Sequence, residues 1–401
     1  MGNDMKLAIY GGKPVRDIRL NYAKQYIDQS DIDEVIKVLK SDFITCGPKV
    51  IEMEKKLCEL TKAKYAVAVS NGTAALHVAC LSAGISQGDE VIVSAMTFAA
   101  SANCVLYCGG KPVFADIDED SWNISPQSVE KAITEHTKAI IAVDYIGQVV
   151  ELNELRKICD KYGLLLIEDA AHSIGTRYGD KMVGSIADIT TFSFHPVKTV
   201  TCGEGGAILT NSFELYEKAK QYKTHGITRD INKLIYKDVG GWYYEQQMLG
   251  YNYRISDIQA TLLCSQLNKL NEFTERRKGL VAFYNEAFKD IKEITLPKEI
   301  EKSDTTRHIY VIKLNTDLLN ADRKTVFEAL QAENIGVNVH YIPVYGLPYY
   351  QKLGYKKGLC KNAESLYESC ITLPLYYSMS DDDARDVVVA VKKVLDYYRK
   401  H

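Results

Sequence analysis

Lys198 is the residue whose neighbours best equip it for covalent chemistry. It follows Ser193-Phe194-His195-Pro196-Val197 and precedes the tight cluster Gly203-Glu204-Gly205-Gly206. A lysine held where water is excluded binds its proton less tightly, and its free amine can bond an aldehyde carbon. A lone loop lysine is usually just exposed, so what accompanies it matters. Leu164-Leu165-Leu166-Ile167 runs into Glu168-Asp169 and then Ala170-Ala171-His172. An apolar strand ending in acids puts them at the carboxyl edge of a sheet, where open α/β folds bind ligands. Period-two alternation sends the two acids to opposite faces, and a buried carboxylate there calls for a cationic partner.

The third constellation is Ser70-Asn71-Gly72-Thr73-Ala74, between an apolar run and a stretch rich in alanine and leucine. Small residues at a strand-to-helix turn leave amides and a hydroxyl aimed outward. That suits a phosphate at a helix N-terminus, and it equally suits a plain helix cap. Lysine, strand-end carboxylate and phosphate-type turn are together the parts of a pyridoxal phosphate site. No further ligand cluster accompanies Glu168 and Asp169, so no metal is expected.

Periodicity supplies the frame that must position these groups. Seven short β-type runs fall at 66–69, 90–93, 112–115, 139–143, 164–167, 190–194 and 207–209. Several are continuously apolar, as strands buried on both faces of a mostly parallel sheet are. Helical patterns at 73–83, 99–107, 126–133 and 151–162 alternate with them, the last closed by Lys161 and Gly163. This is an α/β layered pattern. After about residue 250 two long helical patterns (255–270 and 274–288) lead to β-like runs at 309–314 and 336–340, with helices at 323–333 and 381–398. The expected division is a large domain over 21–258 and a smaller α+β domain over 259–401, with residues 1–20 packing nearby.

The whole chain has 401 residues, 46% hydrophobic and 25% charged, with net charge −3. Those values exclude a wholly disordered or coiled-coil chain, and they give no basic field to attract nucleic acid or an anionic membrane. The ten cysteines contain no C-x-x-C pair and read as free thiols of a reducing compartment. Without a secretory apolar segment near the N-terminus, and with no run approaching the about 20 apolar residues of a membrane span, a cytoplasmic protein is expected.

The motifs NGTAAL (71–76), MTFAASAN (96–103), EDAAHS (168–173), SFHPVKTVTCGEGG (193–206) and GYNYRISDIQA (250–260) resemble, in order and spacing, those of the DegT/DnrJ/EryC1/StrS sugar aminotransferases. The likeness extends along nearly the whole chain. It implies the type I fold of pyridoxal 5′-phosphate (PLP) aminotransferases, with a mostly parallel seven-stranded sheet in the large domain. It also implies PLP as cofactor, L-glutamate and a UDP-4-keto sugar as substrates, and a homodimer with shared active sites. Carried over residue by residue, Lys198 would bond the cofactor and move the proton, and Asp169 would pair with its ring nitrogen. Phe98 would stack on the ring, while Gly72, Thr73 and Ser193 would hold the phosphate. His172 would lie by the phenolic oxygen, and Asn252 would reach the phosphate from the neighbouring subunit. Thr45, Arg254, His340 and Tyr341 are the candidates for sugar and diphosphate. His77, His136 and His401 read as ordinary core histidines.

Family members that dehydrate sugars carry histidine where this chain has Lys198, which favours transamination. The run Val143-Asp144-Tyr145-Ile146-Gly147-Gln148, His172, and Val339-His340-Tyr341-Ile342-Pro343-Val344-Tyr345 are most similar to the branch acting on UDP-4-keto-6-deoxy-N-acetyl-L-hexosamines in pseudaminic acid synthesis. The same chemistry on UDP-4-keto-6-deoxy-GlcNAc or a UDP-4-keto-pentose stays open, as does a binding module without turnover.

Overall fold

The seven apolar runs form one sheet. A computed structural model describes residues 6–400, so the first five residues and His401 lie outside the described residues. The strands are β1 (Tyr65–Val69), β2 (Glu90–Ser94), β3 (Lys111–Ala115), β4 (Thr137–Val143), β5 (Leu165–Asp169), β6 (Ile189–Ser193) and β7 (Gly206–Thr210). Their order is β1-β7-β6-β5-β4-β2-β3. Only β7 runs against its two neighbours. The carboxyl ends of the other six therefore share one edge. There the register sets Asp169 between Val143 and Thr191, with the turn after β1 and the end of β6 at the same edge.

Two helices bring the remaining groups to that edge: α1 (Gly72–Ser82) follows β1, and α2 (Ala100–Tyr107) follows β2. On the opposite sheet face, the helix Leu152–Tyr162 buries Leu155 and Ile158 and ends at Gly163 with φ +69°, as its sequence signals. Beyond the large sheet come α3 (Asp257–Leu267), opened by a Ser256–Gln259 capping box, and α4 (Leu270–Phe288). The core changes hands along α4. Leu270 and Phe273 bury with the large sheet, whereas Leu280, Tyr284 and Phe288 bury with the C-terminal elements. Ala260 and Leu263 also belong to the first core, so we propose that the domain division falls inside α4 and not at residue 258.

The small domain holds β8 (Ile294–Thr295), β9 (Tyr310–Leu314) and β10 (Cys370–Leu373), all antiparallel, covered by the helices Arg323–Ala332 and Asp381–Tyr398. The strand expected over 336–340 does not form. Asn338 makes one bridge to Thr372, and then the Val339 N–H is taken by the Asn338 side-chain oxygen at 2.8 Å, which stops the ladder. His340 and Tyr341 are thereby released toward the large domain. The N-terminal segment joins this domain: Leu7 and Leu20 enter its core, and the Tyr10 and Tyr398 hydroxyls meet at 2.9 Å. His136 is a correction, since its side chain is 62% exposed. No helix among the described residues is long and apolar enough to cross a membrane.

Candidate active site

A cavity of about 700 Å³ opens at the carboxyl edge of the sheet. It collects Gly72, Thr73, Phe98, Asp169, His172 and Ser193, and it also collects Lys198, His340 and Tyr341. Thr45, Asn252 and Arg254 do not line it.

The turn after β1 is cap and cradle at once. Asn71 caps α1, its side-chain oxygen accepting the Ala74 N–H at 2.8 Å. The first amides of the helix, at Gly72 and Thr73, remain for a ligand in the cavity. A Cβ on Gly72 would lie 2.8 Å from the Ser193 Cβ and 3.0 Å from its hydroxyl. Glycine is therefore what lets the helix end and that hydroxyl converge on one anion. Gly72→Ala is expected to weaken PLP binding by roughly tenfold, the loss of about one good hydrogen bond, measured by titrating the apoprotein.

Lys198 is half-buried, and its N–H donates to the His195 carbonyl at 2.9 Å. Loss of water around the ammonium lowers its pKa to about 8, with the Asp169 charge pulling the other way. Asp169 is 5% exposed and accepts from the Ser101 hydroxyl at 2.6 Å and the Ala171 N–H at 3.2 Å. Ser101 in turn meets the Thr97 hydroxyl at 2.7 Å. The cationic partner expected for this acid is not among its hydrogen-bond partners. Burial accordingly holds its carboxyl above the usual range, opposed by Ser101, Ala171 and Lys198. A buried acid on a cavity wall without a bonded cation is ready to receive one from a ligand, and a pyridinium nitrogen is such a cation.

Ser101 and Thr97 were not foreseen as site residues, although two hydroxyls four apart at the start of a helix share a face. Removing a hydrogen bond to a charged group costs about 1.5–3 kcal/mol. Ser101→Ala should therefore lower PLP affinity on the order of tenfold or more while the Lys198 chemistry persists.

Glu168 points away from the cavity, as alternation requires. Thr190 donates to it at 2.8 Å, while its other oxygen is buried without a partner. Beside it Asp144 accepts from the Ser173 hydroxyl and, at 3.1 Å, from the Val150 N–H. Burial pushes both carboxyls up, and the charge of Glu168 adds to the effect on Asp144. The folded chain thus keeps a proton that the unfolded chain releases in the ordinary acid range, so stability falls as pH rises from that range up to the value of about 7 to which Glu168 is raised. Glu168→Gln should flatten the decline in Tm between about pH 5 and pH 7.

The small domain contributes the remaining wall. His340 bonds the Thr372 hydroxyl through Nδ1 at 2.8 Å, and burial, then Lys198, lower its pKa to about 4. The Tyr341 N–H rests on the Met96 sulfur at 3.2 Å, and Tyr145 donates to the His340 carbonyl. The Tyr341 hydroxyl lies 3.2 Å from His172 Nε2. Phe98 stands at the mouth, 61% exposed and 6.2 Å from the Tyr341 ring centre. Tyr22 also lines the cavity, and nothing in its sequence surroundings marks it for that place. Thr45 bridges to Ser256 and so joins the segment bearing Asn252 and Arg254 outside the cavity. Exposed Phe43, Ile44 and Leu249 belong to the same stretches of chain.

The arrangement fits PLP: amides and hydroxyls for a phosphate, a buried acid for a ring cation, and an amine of lowered pKa for an aldehyde. Comparison with known proteins agrees. The model of the DegT/DnrJ/EryC1/StrS aminotransferase family matches residues 25–392. The spore coat polysaccharide biosynthesis protein SpsC of Bacillus subtilis is 40% identical over 94% of this chain and 97% of its own. The UDP-4-amino-4,6-dideoxy-N-acetyl-beta-L-altrosamine transaminase of Campylobacter jejuni is 37% identical over 95% of this chain and 99% of its own. Among solved structures, Helicobacter pylori PseC, an aminotransferase involved in the biosynthesis of pseudoaminic acid, superposes with a TM-score of 0.88 at 32% identity, covering 95% of this chain and 100% of that one. This chain belongs to the DegT/DnrJ/EryC1/StrS aminotransferase family.

Proposed function

We propose that the chain transfers the amino group of L-glutamate to C4 of a UDP-4-keto-6-deoxy-N-acetyl-L-hexosamine, with PLP as cofactor. The products are UDP-4-amino-4,6-dideoxy-N-acetyl-β-L-altrosamine and 2-oxoglutarate. The observation that carries this reading is the meeting of Lys198, Asp169 and the open N-terminus of α1 in one cavity. PLP supplies an electron sink when bound. Asp169 holds the ring nitrogen in its protonated form, and Gly72, Thr73 and Ser193 fix the phosphate. Phe98 covers one ring face. Lys198 would hold the cofactor through its amine and, with that amine free, would carry the proton that moves during the transfer. His340 and Tyr341 face the sugar.

A homodimer completes the site in this reading. Asn252, Arg254 and Thr45 lie outside their own cavity, in or beside one surface segment, and each reaches the cavity of a second copy. Arg254 then meets a phosphate as a guanidinium does best. The acceptor assignment draws on the Campylobacter and Helicobacter relatives, and the 40% identity to SpsC keeps other UDP-4-keto sugars as competitors. The test is a half-reaction. L-Glutamate converts the bound cofactor to its amine form, and candidate ketones are then added singly while the original absorbance is followed. Return with the L-altrosamine-series ketone alone supports the assignment. Return with the D-gluco ketone or the keto-pentose moves the acceptor, and no response to glutamate or any ketone removes the aminotransferase reading.

A further inference from the structure

We infer that His172 orients Tyr341 through a hydrogen bond of fixed direction. Neutral and protonated on Nε2, it donates to the Tyr341 oxygen and leaves the Tyr341 O–H as the donor facing the cavity, with His308 as the positioning residue behind it. The role given to the tyrosine rests on the reading of this cavity as the transamination site. The hydrogen-bond direction rests on geometry alone.

His172 is 6% exposed, and its Nε2 has one partner, Tyr341 Oη at 3.2 Å. Its Nδ1 is fully enclosed with no partner. An enclosed N–H without an acceptor costs more than an enclosed lone pair without a donor, so the single proton of a neutral ring belongs on Nε2. The surroundings exclude a second proton. Burial first, then the charges of Lys198 and His340, which line the same cavity, disfavour positive charge on the ring. His308 closes the back, 3% exposed, its ring centre 4.4 Å from that of His172. Behind His308 lies Arg277, a buried guanidinium that donates to the carbonyls of His308 at 3.0 Å and Leu375 at 3.1 Å. The carboxylates nearby are engaged elsewhere: Asp169 accepts from Ser101 and Ala171, and Asp144 accepts from Val150 and from Ser173, the residue next to His172.

His308 fixes which way the His172 ring presents itself. Its own Nδ1 is also enclosed and has no hydrogen-bond partner, so it makes no hydrogen bond to the His172 ring and offers it a packing surface. The two backbones are pinned together at Gly147, where a Cβ would lie 2.9 Å from the His172 carbonyl and 3.0 Å from the His308 nitrogen. With one lone pair engaged by His172, the Tyr341 hydroxyl becomes a stronger donor. Its hydrogen is then available to an oxygen of the bound cofactor or of the keto sugar.

The experiment uses full-length protein carrying ¹⁵N-histidine, without and with PLP. Long-range ¹H–¹⁵N spectra are assigned by the signals lost in His172→Gln and His308→Gln. The expected His172 pattern is a neutral ring protonated on Nε2, unchanged from pH 6 to pH 8 in the cofactor-free chain. An imidazolium, or a ring protonated on Nδ1, overturns the inference. Tyr341→Phe should shift the His172 Nε2 resonance and leave the other histidines in place, and an unmoved Nε2 signal overturns the bond. His308→Leu should average the two His172 nitrogens toward intermediate shifts, and a sharp wild-type pattern overturns the positioning role. A chain giving the expected spectra yet transaminating nothing would support this inference and remove the functional reading.

Discussion

Lys198→Ala should lower transamination by at least about 10³-fold, the range in which positioned proton transfer contributes, before the loss of the covalent attachment is counted. The colour of the lysine-bound cofactor should vanish with it. Burial keeps His172 and His340 from holding a proton, and Asp169 in the proposed reaction meets the ring nitrogen, so these three side chains are poor replacements for the amine. The phosphate cradle at Gly72 and Ser193 is untouched, so affinity for PLP should fall far less than rate. That split separates loss of chemistry from loss of the site. The wild-type apoprotein offers a companion measurement. Its amine is freed at about pH 8, in place of the 10.5 of an ordinary lysine. The rate of PLP capture should therefore rise with pH and level off above a midpoint near 8. Turnover of the alanine variant within tenfold of wild type would sink the assignment.

Asp169→Asn is the second large effect. The amide keeps the shape and can still accept from Ser101, so what is removed is the charge. Breaking a buried pair costs about 3–5 kcal/mol, which corresponds to a fall in kcat on the order of 10²–10⁴-fold. Stability should move in opposite senses in the two forms. Without cofactor, wild type holds a buried carboxylate that has no bonded cation, so the asparagine variant should melt no lower than wild type. With PLP the wild type gains an ion pair that the variant lacks, and the PLP-induced rise in Tm should shrink markedly. Equal rises in both proteins would show that Asp169 does not meet a cationic ring.

Much of this was legible in the residues, for physical reasons that can be named. The strands at 139–143 and 164–167 announce themselves because a sheet buried on both faces tolerates only apolar side chains. Asp169 was legible because the apolar run stops at it, and period two separates its role from that of Glu168. The 336–340 stretch misled because Val337 and Val339 alternate as strand residues do, while the local bond from the Asn338 side chain, which halts pairing, leaves no mark on hydropathy. Ser101 sits inside a motif but reveals its purpose only when α2 is set beside β5. His308 and Arg277 are more than 100 residues from His172, and nothing local connects them. Thr45 and Arg254 show the limit most plainly: one chain brings them together yet leaves both outside its own cavity.

The meeting of Tyr10 with Tyr398 fixes an order of events during synthesis. Leu7 and Leu20 leave the ribosome first, yet the core that receives them needs Leu280, Ile312 and Val391. The large-sheet core, by contrast, has most of its members by Phe273. The nascent chain can thus assemble the phosphate cradle, Asp169 and Lys198 while its leading segment still waits, unburied, for the last helix. The wall carrying His308, His340 and Tyr341 is added afterwards, so the cavity stays open on that side until those residues have been made. A chain truncated before residue 381 should keep the first half of the site and leave its earliest residues accessible to protease.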